Sequence, residues 1–422
     1  MLRILHVLHS VDPRSGGPST MICNVIRQQV ASGHKVSLLC TDAQSAEPWA
    51  PRDEYVQGIM ADPAFQGADI HLLKAYGRKS PWSRYSYSPA CDRWLSRRMS
   101  DPTLKPHVVH IHGIFSHLTT RAAARARSQS IPYIIRPAGC LDTVCYRMGK
   151  HHLKRLFTHL CLRKDLQGAR FLHATSLAEA EELYGRVPCT KVRIVPNGAD
   201  IPSTPASDVG QEFLAEFPEL RGGRIVLYLA RIAPVKRLEL LVEAIARLDR
   251  DVGEIFLVIV GHDAGHKRFV EQTVARFGLG ERVLFTGFLE GRKKQGAFAV
   301  ADVYALPSLH ENLGISVVEA MAHSVPVVVT RGVASHVHVE QAAAGLTVDE
   351  GVLALAEGVH AVLRQPPNER RAMGERGRLY VQRNLSWSLV AAELEQLYRE
   401  CTAGSETADP NRAPRCLDRS AA

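Results

Sequence analysis

Arg224-Ile-Val-Leu-Tyr-Leu-Ala-Arg231-Ile-Ala-Pro-Val-Lys236-Arg237 is an apolar run, then a turn carrying two cations, then the start of a helical pattern reaching residue 249. Short apolar runs alternating with helical patterns build parallel sheets wrapped by helices. The same alternation continues through strand 255–260, helix 266–277, strand 282–286, helix 293–300, strand 303–306, helix 315–323, strand 326–329 and a helix near 351–364. Toward the N-terminus the strand candidates are Ile4–Leu8, Lys35–Thr41, Asp69–Leu73, Val108–His112, Tyr133–Arg136, Phe171–Ala174 and Val192–Val195, with a first helix over 19–33 stopped by Gly33. Residues 42–68 and 76–89 lack periodicity and read as loops, and 199–223 read as a polar linker. The fold class is α/β.

A chain of 422 residues exceeds the usual single core, so two domains are expected. The first runs over 1–198 and closes at Pro196-Asn197-Gly198; the second covers 199–386. A helical pattern at 387–400 has room to cross back to the first domain, and 402–422 read as a disordered tail. The composition, 45% hydrophobic and 23% charged, is that of an ordinary globular protein. No stretch approaches the ~18 apolar residues of a membrane span, and the N-terminus reads as a buried strand rather than a signal peptide. Nine cysteines without a CxxC pair fit free thiols in a reducing cytosol. The net charge of +9 is uneven: residues 1–200 carry 27 Lys+Arg against 15 Asp+Glu, or +12, and the remainder 25 against 28, or −3. A basic first half suits an anionic partner, whether a membrane surface, a phosphorylated lipid or nucleic acid; a solvated basic surface is the alternative.

Three motifs carry chemistry. Ser15-Gly16-Gly17-Pro18 lies between the first strand and the first helix, where glycines let backbone approach a ligand at a helix N-terminus. The pattern is not GxGxxG, which excludes the dinucleotide fingerprint. Arg231 and Lys236 follow a strand at its carboxyl end, where open α/β sheets bind ligands, and a diphosphate has charge for both. Glu311-Asn312-Leu313-Gly314-Ile315-Ser316-Val317-Val318-Glu319 places two glutamates around a Gly turn that opens a helix. Eight helical residues would rise ~12 Å, too far for a glycosidase pair, so the two read as gripping the ends of one elongated ligand. The backbone N–H groups of Leu313, Gly314 and Ile315 would face a phosphate.

These residues resemble the retaining GT-B glycosyltransferases of family 4. Residues 308–328 resemble that family's Glu-x7-Glu motif, and Ala230-Arg231 through Lys236-Arg237 its Gly-Arg-Leu-x-x-x-Lys-Gly. Ser15-Gly16-Gly17-Pro18, His110-Ile-His112-Gly113, Arg136-Pro-Ala-Gly139, His173-Ala-Thr-Ser176 and Val195-Pro-Asn-Gly198 recur in the family's order, so the likeness covers roughly residues 1–400. The resemblance implies a GT-B fold: two facing Rossmann-like domains with a cleft between them. It implies that Arg231 and Lys236 bind the donor diphosphate, that Glu319 holds the ribose and that Glu311 contacts the donor sugar. By the same likeness Gly16 and Gly17 lie near the donor phosphates, and His112 faces the reacting carbon. Arg136 and Lys154 are weaker acceptor candidates. His110 and His112 are expected on opposite faces of their strand, which would argue against shared metal ligation. Ala230 and Arg237 stand where the family has glycine, as does Ser324; Ala costs little there if φ is negative.

The implied activity is a metal-independent hexosyltransferase without cofactor. It would use a nucleotide-sugar donor and a saccharide or lipid-linked acceptor, in bacterial exopolysaccharide or lipopolysaccharide synthesis. The expected location is cytoplasmic, with no nucleic-acid partner and a possible anionic membrane surface at the inner face of the plasma membrane. Lys150, Lys154, Arg155, Arg163 and Lys164, beside Leu153, Leu156, Phe157 and Leu160, form the basic amphipathic stretch that could rest there. Rival readings are a nucleotide-sugar epimerase on the same fold and a basic nucleic-acid-binding protein.

Overall fold

A computed structural model of the chain describes residues 1–44, 50–76, 85, 87–143, 151–187, 191–248 and 252–403. It divides into two compact units, Met1–Val195 with Ala391–Ala422, and Pro196–Val390.

The first unit holds a seven-stranded parallel sheet made of β1 Arg3–Ser10, β2 Lys35–Thr41, β3 Asp69–Leu73, β4 Val108–His112, β5 Tyr133–Arg136, β6 Phe171–Ala174 and β7 Val192–Ile194. Its strand order is β3-β2-β1-β4-β5-β6-β7. The second unit holds six parallel strands: β8 Arg224–Leu229, β9 Ile255–Val260, β10 Val283–Gly287, β11 Val303–Leu306, β12 Val327–Thr330 and β13 Gly345–Val348, ordered β10-β9-β8-β11-β12-β13. Each sheet therefore winds one way from its first strand and then the other. The point of reversal lies between β1 and β4 in one unit and between β8 and β11 in the other, where such sheets bind ligands beyond their carboxyl ends. The strands of the second unit are mostly apolar because helices cover both faces; Val226, Leu227, Val258, Ile259, Tyr304 and Val328 are fully buried.

The polar regions hold more helix than expected. Within 42–68 a helix spans Arg52–Ala61 and buries Tyr55 and Ile59. The polar stretch 199–223 contains the helix Ala206–Glu216, which buries Val209 and Phe213, four apart, and packs Phe213 into the second core. The helix His336–Ala342, β13 and the 18-residue helix Pro367–Asn384 add to the elements that the sequence pattern predicts. The last of these buries Arg370, Gly374, Gly377 and Val381, a stripe too small and charged to register as hydrophobic periodicity. The final helix, Trp387–Ala403, starts in the second unit and belongs to the first from Ala391 onward. Thr402 and Ala403 are helical, against the expected tail; the rest of that tail lies outside the described residues. No described helix is long and apolar enough to cross a membrane.

Candidate active site

In the second unit the carboxyl ends of β8 and β11 carry the expected donor residues. The turn after β8 is tied to the loop that follows β9 by Ile232, whose N–H donates to the His262 carbonyl at 2.9 Å. Tyr228 Oη donates to the Arg231 carbonyl at 3.0 Å. The Arg231 side chain is exposed, whereas Lys236 is buried and its Nζ pairs with Glu311 Oε2. The Leu309 N–H donates to the Val235 carbonyl at 2.9 Å, joining the β11 loop to the cationic turn. Arg231, Lys236 and Glu311 thus share one end of one sheet.

Glu311 is not helical. A single-residue bridge holds it to Val333, with Glu311 N donating to the Gly332 carbonyl at 2.8 Å and Ala334 N to the Glu311 carbonyl at 3.0 Å. The helix starts only at Ile315, so the separation of the two glutamates is not the helical rise that their spacing suggested. Gly314 caps it at φ 78°, a left-handed conformation that glycine takes without penalty. The N–H groups at the head of this helix have no acceptor within it. Leu313 offers backbone only: its side chain is 3% exposed. Asn312 is partly buried on the same loop. Glu319, in the helix, pairs through Oε1 with Lys294 Nζ at 2.7 Å. Its neighbours Val317, Val318, Ala320 and Met321 are buried. Of the positions where the family has glycine, Arg237 and Ser324 are left-handed at φ 52° and φ 58°, while Ala230 is not.

In the first unit the corresponding ends are those of β1 and β4. After β1, Asp12 accepts from Arg14 N at 3.0 Å and caps a short turn that leads to Gly16. Gly16 takes φ 79° and ψ −133°, immediately before the helix Gly17–Ala31. A Cβ there would meet nothing within 4 Å, so the backbone conformation, not crowding, asks for glycine. His112 ends β4, in register with Leu8 of β1 and Arg136 of β5. Arg136 is 2% exposed, and burial lowers its pKa against the attraction of Glu179. Lys154 lies on the helix His151–Phe157, outside β4 and β5. In that region Arg155, Leu156, Arg163 and Lys164 are exposed, Phe157 packs on Tyr85 and Phe115, and Leu162 is buried. Lys150 and the side chains of Leu153 and Leu160 lie outside the described residues.

The histidines require a correction. His110 and His112 share a face, with ring centroids 4.1 Å apart, because strand side chains alternate and positions two apart point the same way. His6 joins them, its Nδ1 being 3.0 Å from His112 Nε2, and the three could geometrically surround an ion. Burial is the main force lowering all three pKa values, His6 to about 4 and the other two well below the usual range. Neighbouring Arg136 adds to the effect on His112. These rings are neutral at pH 7.

Residues 16–198 match the family described as Glycosyl transferase 4-like domain, and residues 211–380 match Glycosyl transferases group 1. The chain belongs to the group 1 glycosyltransferases. Its two α/β units have the GT-B fold. It is 34% identical over 234 residues to a 2-deoxystreptamine glucosyltransferase of Streptomyces kanamyceticus, a match spanning 52% of this chain and 57% of that protein. The matched stretch is thus little more than half the relative's length. Among solved structures, sucrose-phosphate synthase from Thermosynechococcus elongatus superposes with a TM-score of 0.76 at 21% identity, covering 96% of this chain and 100% of that one. Anabaena HepE in complex with UDP-glucose gives 0.71 at 17% identity, covering 95% and 100%.

Sequence reasoning missed Lys294, which pairs with Glu319, and the partners of His112. Lys294 had no signal of its own, being one of three basic residues in Arg292-Lys-Lys294. His6 did have one, as a single polar residue inside the apolar strand Arg3-Ile-Leu-His6-Val-Leu.

Proposed function

We propose that this group 1 glycosyltransferase moves a hexose from a nucleoside-diphosphate sugar to a saccharide or lipid-linked acceptor, retaining the anomeric configuration and needing no metal. The observation that carries the reading is the cluster Arg231, Lys236, Glu311 and the head of the helix Ile315–Ala322 at the ends of β8 and β11. Glycosyl transfer must stabilise a departing diphosphate while positive charge grows on the sugar. Arg231, Lys236 and helix N–H groups supply that stabilisation from fixed positions. Glu311 pairs with Lys236. A bound diphosphate offers the lysine another anion and leaves Glu311 to accept hydrogen bonds from sugar hydroxyls. Glu319, held by Lys294, is the ribose ligand in this reading. The complex of HepE with UDP-glucose supports a nucleotide-sugar donor. A charge of +12 over residues 1–200 supports an anionic, phosphorylated acceptor, of the kind used at the cytoplasmic membrane face in exopolysaccharide or lipopolysaccharide assembly.

The test is a thermal-shift screen against UDP-, GDP- and ADP-sugars on the wild type, Lys236→Ala and Glu319→Ala. Ligand in excess raises the melting point by binding the folded state. One nucleotide class should stabilise the wild type and neither variant. No shift with any nucleotide sugar would overturn the reading, and sugar interconversion without acceptor would point to an epimerase.

A further inference from the structure

The first unit buries a continuous line of hydrogen bonds that runs from the carbonyl of Val195 to His112. His173 Nε2 lies 2.8 Å from the Val195 carbonyl, His173 Nδ1 is 3.2 Å from His110 Nε2, and His110 Nδ1 is 2.7 Å from Tyr398 Oη. Tyr398 Oη is 3.3 Å from Gln29 Nε2, Gln29 Oε1 is 2.8 Å from His6 Nε2, and His6 Nδ1 is 3.0 Å from His112 Nε2. Each of the six side chains is 1% exposed or less. They come from β1, β4, β6, the helix Gly17–Ala31 and the helix Trp387–Ala403, so the arrangement is tertiary.

The direction of every bond follows from its one fixed end. A carbonyl only accepts, so His173 donates from Nε2, and as a neutral ring it accepts at Nδ1. His110 must then donate from Nε2 and accept at Nδ1 from the Tyr398 hydroxyl. The Tyr398 oxygen accepts from the amide of Gln29, which turns the Gln29 carbonyl toward His6. His6 donates to it from Nε2 and accepts at Nδ1 from His112 Nε2. The line ends on His112 Nδ1, which is buried, bears a lone pair and has no partner among the described residues. Neutrality, on which the deduction depends, is enforced by burial: the pKa of His173 falls to about 3 and that of His6 to about 4.

We propose that this one-way relay holds His112 as its Nε2–H tautomer, presenting Nδ1 as a preset acceptor for a ligand hydroxyl, with His6, Gln29 and Tyr398 as positioning residues. The ligand, a hydroxyl of the transferred sugar or its acceptor, rests on the transferase reading; the tautomer does not. A metal on His6, His110 and His112 is disfavoured because both nitrogens of His6 and of His110 are already engaged.

The experiment is long-range ¹H–¹⁵N spectroscopy of the full chain with ring-¹⁵N histidine, without substrate, using His112→Asn to assign one signal. Four rings should appear as Nε2–H tautomers that do not titrate between pH 6 and 8. Gln29→Leu, and Tyr398→Phe as the milder cut, should convert His112 to a mixture of tautomers. Each should also lower kcat about tenfold while leaving the donor KM within twofold. A wild-type His112 protonated at Nδ1 would overturn the relay, as would variants that leave both tautomer and kcat unchanged. Stoichiometric Zn²⁺ shifting the His6, His110 and His112 nitrogens together would replace it with a metal site. The expected tautomers in a protein that transfers no sugar would uphold the relay and overturn its ligand.

Discussion

At the scale of single residues, the Lys236–Glu311 pair gives the sharpest expectation. Glu311 competes with an incoming phosphate for the lysine, so Glu311→Gln should bind free nucleoside diphosphate at least as tightly as the wild type yet lose turnover. Calorimetric titration beside kcat checks both, and weaker diphosphate binding would refute the competition. Lys236→Ala removes a charged contact worth roughly 1.5–3 kcal/mol, about a 10- to 150-fold loss in kcat/KM. The residues of this cluster were legible because short motifs concentrate them: Arg231 and Lys236 lie in one turn, and Glu311 and Glu319 around another. The relay was not legible. Gln29 and Tyr398 are 369 residues apart, and only the packing of the last helix brings their side chains together.

At the scale of elements, nearly every strand could be read from the sequence and several helices could not. A strand buried on both faces announces itself by composition, as Ile255–Val260 does. The helix Pro367–Asn384 buries glycines and an arginine, and the burial exists only because its partner approaches closely. A Cβ on Gly374 would lie 1.9 Å from the Ser324 carbonyl oxygen. Gly374→Ala should therefore destabilise the chain by about 1–3 kcal/mol through overpacking, although alanine is the better helix former. Chemical denaturation checks it, and a neutral result would mean that the two elements separate freely. The helix His336–Ala342 ends oppositely, with Ala343 left-handed at φ 47° where glycine is usual. Ala343→Gly should add up to about 1 kcal/mol in the same assay, since strain relieved in the folded state outweighs the freedom gained by the unfolded chain.

At the scale of the whole molecule, buried histidines make the two units respond differently to acid. A histidine whose folded pKa is depressed takes up its proton first in the unfolded chain. Its stabilising contribution is complete above about pH 6.5 and is lost as pH falls toward the folded value. For His6 the window runs from 6.5 to about 4. Across it, each pH unit costs roughly 1.4 kcal/mol. Among the described residues the first unit holds seven histidines shifted down, His6, His9, His107, His110, His112, His117 and His173, against His323 and His338 in the second. Asp165 and Glu393, carboxyls of the first unit that burial pushes up, work the other way but are outnumbered. The first unit should therefore loosen first as pH falls from 7 to 5. Hydrogen exchange, corrected for the intrinsic pH dependence of the amides, should show protection in β4 dropping well before protection in β8 and β9. Equal losses would mean that the two sheets open as one cooperative body, and an earlier loss in β8 would mean that the histidine cluster does not set the acid limit.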